Sequence, residues 1–133
     1  MFPFLPPPDL TEANIDSLAA LVGDANRFEF ELTRVREFEQ GVVYLEPEPA
    51  KPFARLTLEI GKKFGLQPFA GAFGDAPIPH LTVAIPQPLA ARRQIAAQLA
   101  PLLPMRMIAE EAWLMVGTNS DTWKTVRQMR FSP

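Results

Sequence analysis

The sequence contains no cysteine and a single histidine, His80. The lack of cysteine excludes disulfides, thiolate nucleophiles and cysteine-based zinc sites, and it agrees with a reducing cytoplasm, which is the location we expect. A lone histidine, without a His-x-x-x-His pattern or clustered aspartates, does not provide the ligands of a dedicated metal site. We therefore expect neither a metal nor another cofactor.

Long apolar runs and a leader segment are also lacking. No apolar run approaches the roughly 20 residues that a membrane span needs. The first eight residues contain no basic residue and four prolines, unlike a signal peptide. The length of 133 residues and the hydrophobic content of 47% suit one globular domain over residues 1–133, and we expect no membrane contact.

The net charge of −2 is unevenly distributed along the chain. Residues 1–49 carry ten acidic and three basic residues, whereas residues 50–133 carry ten basic and five acidic residues. The basic part surrounds and follows His80, which suits an anionic ligand, although a general binder of duplex nucleic acid is usually more basic overall. Ordinary scattered surface charge is the alternative interpretation at this point.

The segment Pro-His-Leu-Thr-Val-Ala at residues 79–84 predicts a β-strand. Because side chains alternate along a strand, His80 and Thr82 share one face. The opposite face carries apolar side chains, which we expect to point toward a core: Leu81, Val83 and Ile85. An imidazole can give or take a proton near neutral pH, and a hydroxyl can donate a hydrogen bond to a phosphate oxygen. The pair would form half of a phosphodiester-handling site; an inert, half-buried histidine is the alternative.

Apolar periodicity predicts helices over residues 9–23, 50–65 and 89–100. We expect Asp9 and Glu12 to cap the first helix. Alternating patterns predict strands over residues 27–39 and 42–45, followed by a loop over 46–49, and further strands over 105–108, 112–116 and 123–131. Trp113 and Trp123 are expected to pack near hairpin ends. Helices mixed with antiparallel hairpins indicate an α+β fold.

Four stretches carry a resemblance to a known family. Residues 79–84 resemble the His-x-Thr motif of that family, and residues 69–75 resemble the loop that leads into its second His-x-Thr strand. Residues 2–7 (Phe-Pro-Phe-Leu-Pro-Pro) resemble its Pro-Phe-Leu-Pro-Pro stretch, and residues 42–47 resemble its hairpin strand. Their order and spacing resemble the two-histidine phosphoesterase superfamily, most closely its 2′-5′ RNA ligase-like, or RNA cyclic phosphodiesterase, branch.

The resemblance implies a two-lobed, pseudo-symmetric α+β arrangement of antiparallel sheets with flanking helices and a cleft between the lobes. Members carry two His-x-Thr motifs, one in each lobe, and the first normally lies just before the Pro-Phe-Leu-Pro-Pro stretch. This chain begins at Met1, where that motif would end. We therefore expect an N-terminally shortened domain without the opening strand, helix and motif strand.

The resemblance also implies a function. His80 would be one acid/base group and Thr82 one phosphate donor in a metal-independent phosphoesterase that acts on 2′,3′-cyclic phosphates or 2′-5′ linkages of RNA or small nucleotides. The partner would be an RNA terminus or a small phosphodiester, and an unpaired sheet edge would permit a homodimer. Because one of the two histidines is missing, the alternative is a catalytically impaired relic that binds RNA ends or phosphodiesters, or an interaction module.

Overall fold

The computed structural model describes residues 4–66, 77–117 and 122–133, so the predicted loop at 69–75 lies outside the described residues. Within these ranges the helices are α1 (Glu12–Gly23), α2 (Lys51–Phe64) and α3 (Leu89–Leu99). The strands are β1 (Phe28–Glu37), β2 (Val43–Glu48), β3 (Leu81–Ala84), β4 (Met105–Ala109), β5 (Glu111–Gly117) and β6 (Trp123–Arg130).

The strands form two sheets in which every pair is antiparallel. The first sheet has four strands in the order β3-β2-β1-β4, and the second is the hairpin β5-β6. Three helices and two antiparallel sheets confirm the predicted α+β fold class. No helix of the described ranges is long and apolar enough to cross a membrane.

The hydrophobic core lies between α1, α2 and the hairpin β5-β6. Its buried residues come from all of these elements: Ile15, Leu18, Val22, Leu56, Ile60, Ala112, Leu114 and Met129. On α2, Phe53 also contacts the four-stranded sheet, with its ring edge-on to those of Phe28 and Phe30 at centroid distances of 4.8 and 4.9 Å. Helix α2 thus contributes both to this core and to the aromatic contacts on the four-stranded sheet.

Local sequence explains the ends of the helices. The Oγ1 atom of Thr11 accepts a hydrogen bond from the backbone N–H of Asn14 at 3.3 Å, so Thr11 is the N-cap of α1. The predicted capping role of Asp9 is wrong, because Asp9 belongs to a short 3-10 turn that precedes the cap. Helix α2 ends as predicted at Gly65, whose φ of 65° is a conformation that glycine adopts without steric cost.

Strand β2 continues through residues that were predicted to form a loop. It runs to Glu48, and Pro47 lies opposite Leu32, beside the register shift between Leu32 and Arg34. A proline has no backbone N–H to donate, but it is tolerated next to such an irregularity in the ladder. The extended strand carries Glu46 onto the same sheet face as Tyr44.

The apolar side chains of β3 do not enter the core as predicted. Leu81 and Val83 of β3 and Ile85 just after it are exposed. Among the described strands, β3 is the last in the order of its sheet and pairs with β2 alone. Trp113 and Trp123 are exposed as well, so neither belongs to the core. Trp123 does pack at the hairpin end as predicted, because it pairs with Gly117 and its ring lies against that glycine.

Two leucines on α2 allow a matched test of the core. Leu56 is 6% exposed and Leu58 is 46% exposed. We expect Leu56→Ala to lower the free energy of unfolding by about 2–5 kcal/mol, because it leaves a cavity, and Leu58→Ala to lower it by less than about 1 kcal/mol. Urea unfolding followed by circular dichroism measures both changes. Equal losses would contradict the described position of α2.

Candidate active site around His80

His80 immediately precedes β3, and strand pairing decides which face its neighbours use. Thr82 lies opposite Tyr44 of β2, and side chains directly opposite each other in an antiparallel pair lie on the same face of the sheet. The imidazole of His80 is edge-on to the ring of Tyr44 at a centroid distance of 5.6 Å. The structure therefore places His80 and Thr82 on the face that carries Tyr44.

Two aromatic rings hold the imidazole. Phe38 and Tyr44 are stacked at 4.3 Å with an interplanar angle of 23°, and the imidazole meets Phe38 edge-on at 5.0 Å. Edge-to-face contacts at these distances are favourable and restrict the ring's orientation. We call Phe38 and Tyr44 the aromatic pair. The imidazole is half-buried, and Thr82 is exposed.

The hydrogen bond of His80 decides which ring nitrogen can react. Its Nδ1 atom lies 2.7 Å from the backbone carbonyl oxygen of Ile78. A carbonyl oxygen only accepts hydrogen bonds, so Nδ1 carries the proton and donates it. The other nitrogen, Nε2, has no hydrogen-bond partner within the part of the chain that the structure describes. It can accept a proton in the neutral ring or donate one in the charged ring.

The turn between β1 and β2 is fixed to the segment that follows β3. The backbone N–H of Gln87 donates to the carbonyl of Gly41 at 3.3 Å, and Arg92 in the first turn of α3 forms an ion pair with Glu37. A cation is unfavourable at a helix N-terminus, so Glu37 compensates for the helix dipole at Arg92. These contacts hold the end of the hairpin, and with it Phe38, beside His80.

Charged side chains continue this sheet face away from His80. Arg36 lies opposite Tyr44 on β1, so Thr82, Tyr44 and Arg36 form a row across three strands. In the next row, Arg34 lies opposite Glu46. The Oε2 atom of Glu46 accepts from Nε of Arg36 at 3.2 Å and lies 3.8 Å from an Nη1 atom of Arg34. Two cations thus share one anion on the sheet face that carries Tyr44.

Both predicted site residues lie on one face, and the structure adds side chains that sequence reasoning did not assign to the site. These are Phe38, Tyr44, Arg34 and Arg36. The alternation of Arg34 and Arg36 in a predicted strand was an available signal, but only the register shows that this strand face is the face of His80. Across residues 4–66, 77–117 and 122–133, no three His, Asp or Glu side chains form a group that could hold a metal ion.

A model of the 2′-5′ RNA ligase superfamily matches residues 1–121. The chain belongs to this superfamily. The resemblance to two-histidine phosphoesterases is thereby confirmed at the superfamily level, and membership supports a phosphoesterase or ligase type of function on RNA. A comparison with curated proteins found no match.

Unfolding measurements can test whether the ion pair between Glu37 and Arg92 stabilises the end of the β1-β2 hairpin. The side chain of Arg92 is only 21% exposed. We expect Glu37→Gln to lower the free energy of unfolding by about 1–2 kcal/mol, between the values typical of surface and of buried pairs. The control is Glu59→Gln, which breaks the exposed Arg55–Glu59 pair on α2 and should cost no more than about 0.5 kcal/mol. Urea unfolding of both variants makes the comparison, and equal losses would show that the Arg92 contact does not hold the hairpin.

Proposed function

We propose that the protein is a metal-independent phosphoesterase that opens 2′,3′-cyclic phosphates or cleaves 2′-5′ linkages at RNA ends. The observation that carries this proposal is the placement of His80 and Thr82 on one sheet face in a member of the 2′-5′ RNA ligase superfamily. Within the described residues, Nδ1 of the imidazole is hydrogen-bonded and Nε2 has no partner. Superfamily membership alone supports the broader class; the specific reaction is our inference from the two side chains.

The proposed step for a cyclic phosphate is attack by water at phosphorus. Nε2 of His80 takes a proton from the water as its oxygen bonds to phosphorus, and the bond from phosphorus to one ribose oxygen breaks. The leaving oxygen needs a proton from a second acid. Thr82 donates a hydrogen bond to a non-bridging oxygen, where negative charge increases in the transition state.

The second acid is the missing part of this scheme. By resemblance, the family uses two histidines, and this sequence contains one. A positioned acid or base accelerates a reaction by roughly 10²–10⁴-fold, so this chain alone should be slow. We propose that a second acid/base group raises this rate, so that a version of the chain extended upstream by a segment with a His-x-Thr motif is considerably faster.

The single histidine also supports a second candidate function, in which the chain binds RNA ends or phosphodiesters without turning them over. Binding requires hydrogen-bond donors and positive charge near the phosphate, which this sheet face provides, whereas turnover requires both acid/base groups. Measurable affinity for a 3′-phosphorylated nucleotide, together with no hydrolysis in either the present or the extended chain, would favour this candidate.

Hydrolysis of a nucleoside 2′,3′-cyclic phosphate tests the enzymatic proposal. We expect His80→Ala to reduce the rate by about 10²–10⁴-fold and Thr82→Val by about 10–10³-fold, in whichever form of the chain, present or extended, is active. Thr125→Val, an exposed threonine on β6, is the matched control and should retain the parent rate. Product formation is followed by chromatography. A His80→Ala variant as fast as its parent would remove His80 from the mechanism.

A further inference from the structure

We infer that Arg34 and Arg36 form a second anion-binding subsite, which holds the phosphate one nucleotide away from the phosphate at His80. This inference rests on the proposed function, because it takes the His80–Thr82 end of the face as the place of the terminal phosphate. It specifies the substrate class: an RNA end with at least two phosphates, rather than a mononucleotide.

The register supports the position of this subsite. Thr82, Tyr44 and Arg36 occupy one row across β3, β2 and β1. Neighbouring strands are about 4.8 Å apart, so the backbones of Thr82 and Arg36 are separated by about 10 Å. Tyr44 lies between them. A ligand bound through its terminal phosphate at Thr82 would extend over Tyr44 toward the guanidinium groups.

The two guanidinium groups keep most of their binding capacity. The side chains of Arg34 and Arg36 are 60% and 47% exposed, and in the described part of the chain Glu46 is the one carboxylate that pairs with either of them. Each guanidinium has five N–H donors, and a single carboxylate oxygen occupies few of them. The cluster of Arg34, Arg36 and Glu46 has a net charge of +1, so it still attracts a phosphate.

The same face becomes acidic one row further on, which limits the length of the ligand. Glu48 lies opposite Glu31, and Glu31 in turn pairs with Arg106 of β4 at 3.0 Å. Glu29 follows on the same face of β1, and these residues line an open cavity of about 640 Å³. This region carries three carboxylates and one arginine, so its net negative charge repels a phosphate. The face therefore favours two phosphates and gives no advantage to a third.

Equilibrium binding tests the subsite without requiring turnover. The ligands are a ribonucleoside 3′-monophosphate, a ribodinucleotide with a 3′-phosphate, and the corresponding trinucleotide, titrated by calorimetry into the full chain. We expect the dinucleotide to bind about tenfold more tightly than the mononucleotide, and the trinucleotide to bind within about twofold of the dinucleotide. The slope of log affinity against log salt should be steeper by about 0.7 for the dinucleotide, because it engages one more phosphate.

Three variants assign this difference to named side chains. Arg36→Gln should remove most of the dinucleotide's advantage over the mononucleotide, together with its steeper salt dependence. Glu46→Gln, which frees both guanidinium groups, should raise the affinity for the dinucleotide severalfold. Arg106→Gln is the matched control. Arg106 is also paired with a glutamate of this face, Glu31, but it lies at the acidic end of the face. This variant should still bind the dinucleotide more tightly than the mononucleotide.

The outcomes separate this inference from the proposed function. Equal affinity of wild type for mononucleotide and dinucleotide, or equal losses for both ligands in Arg36→Gln, would overturn the second subsite even if His80-dependent hydrolysis is found. A continued rise in affinity from dinucleotide to trinucleotide would also overturn it. Absence of hydrolysis in both the present and the extended chain, combined with a selective loss of dinucleotide binding in Arg36→Gln, would support the subsite and reject the enzymatic proposal.

Discussion

The backbone pairing of β3 with β2 is the contact on which the candidate site depends. β3 is four residues long, and among the described strands it pairs with β2 alone. This pairing sets Thr82 opposite Tyr44 and brings His80 against the aromatic pair. A shift of the register by one residue would turn both His80 and Thr82 to the other face and remove the imidazole from the aromatic pair.

The β1-β2 hairpin is itself held by contacts that are distant in sequence. Glu37 and Arg92 are 55 residues apart, yet their ion pair joins the end of β1 to the first turn of α3. Gly41, with a φ of 85°, forms the turn and accepts a hydrogen bond from Gln87. The segments before and after β3 thus contact the same hairpin, which positions the imidazole from both sides.

The two faces of the four-stranded sheet carry different kinds of side chain: one face is apolar and the other is polar and charged. On one face, Phe28 and Phe30 of β1 pack against Phe53 of α2, and Leu45 of β2 is buried. The other face carries Tyr44, Thr82 and the charged rows. Alternation along each strand makes this division possible, since every core residue is followed by one that points to the opposite face. The core can therefore be packed tightly without enclosing the polar groups that would meet a phosphate.

The sequence by itself determined the three helices, most of the strands, the α+β class and the placement of His80 and Thr82 on one strand face, because periodicity is a local property of the chain. It did not determine the N-cap of α1, the continuation of β2 through Pro47 or the exposure of Leu81, since each depends on neighbours supplied by other segments. Only the tertiary structure decided that Phe38, Tyr44 and the two arginines share the face of His80. The physical reason is that strand register is set by pairing between segments far apart in the chain, and neither partner contains that information alone.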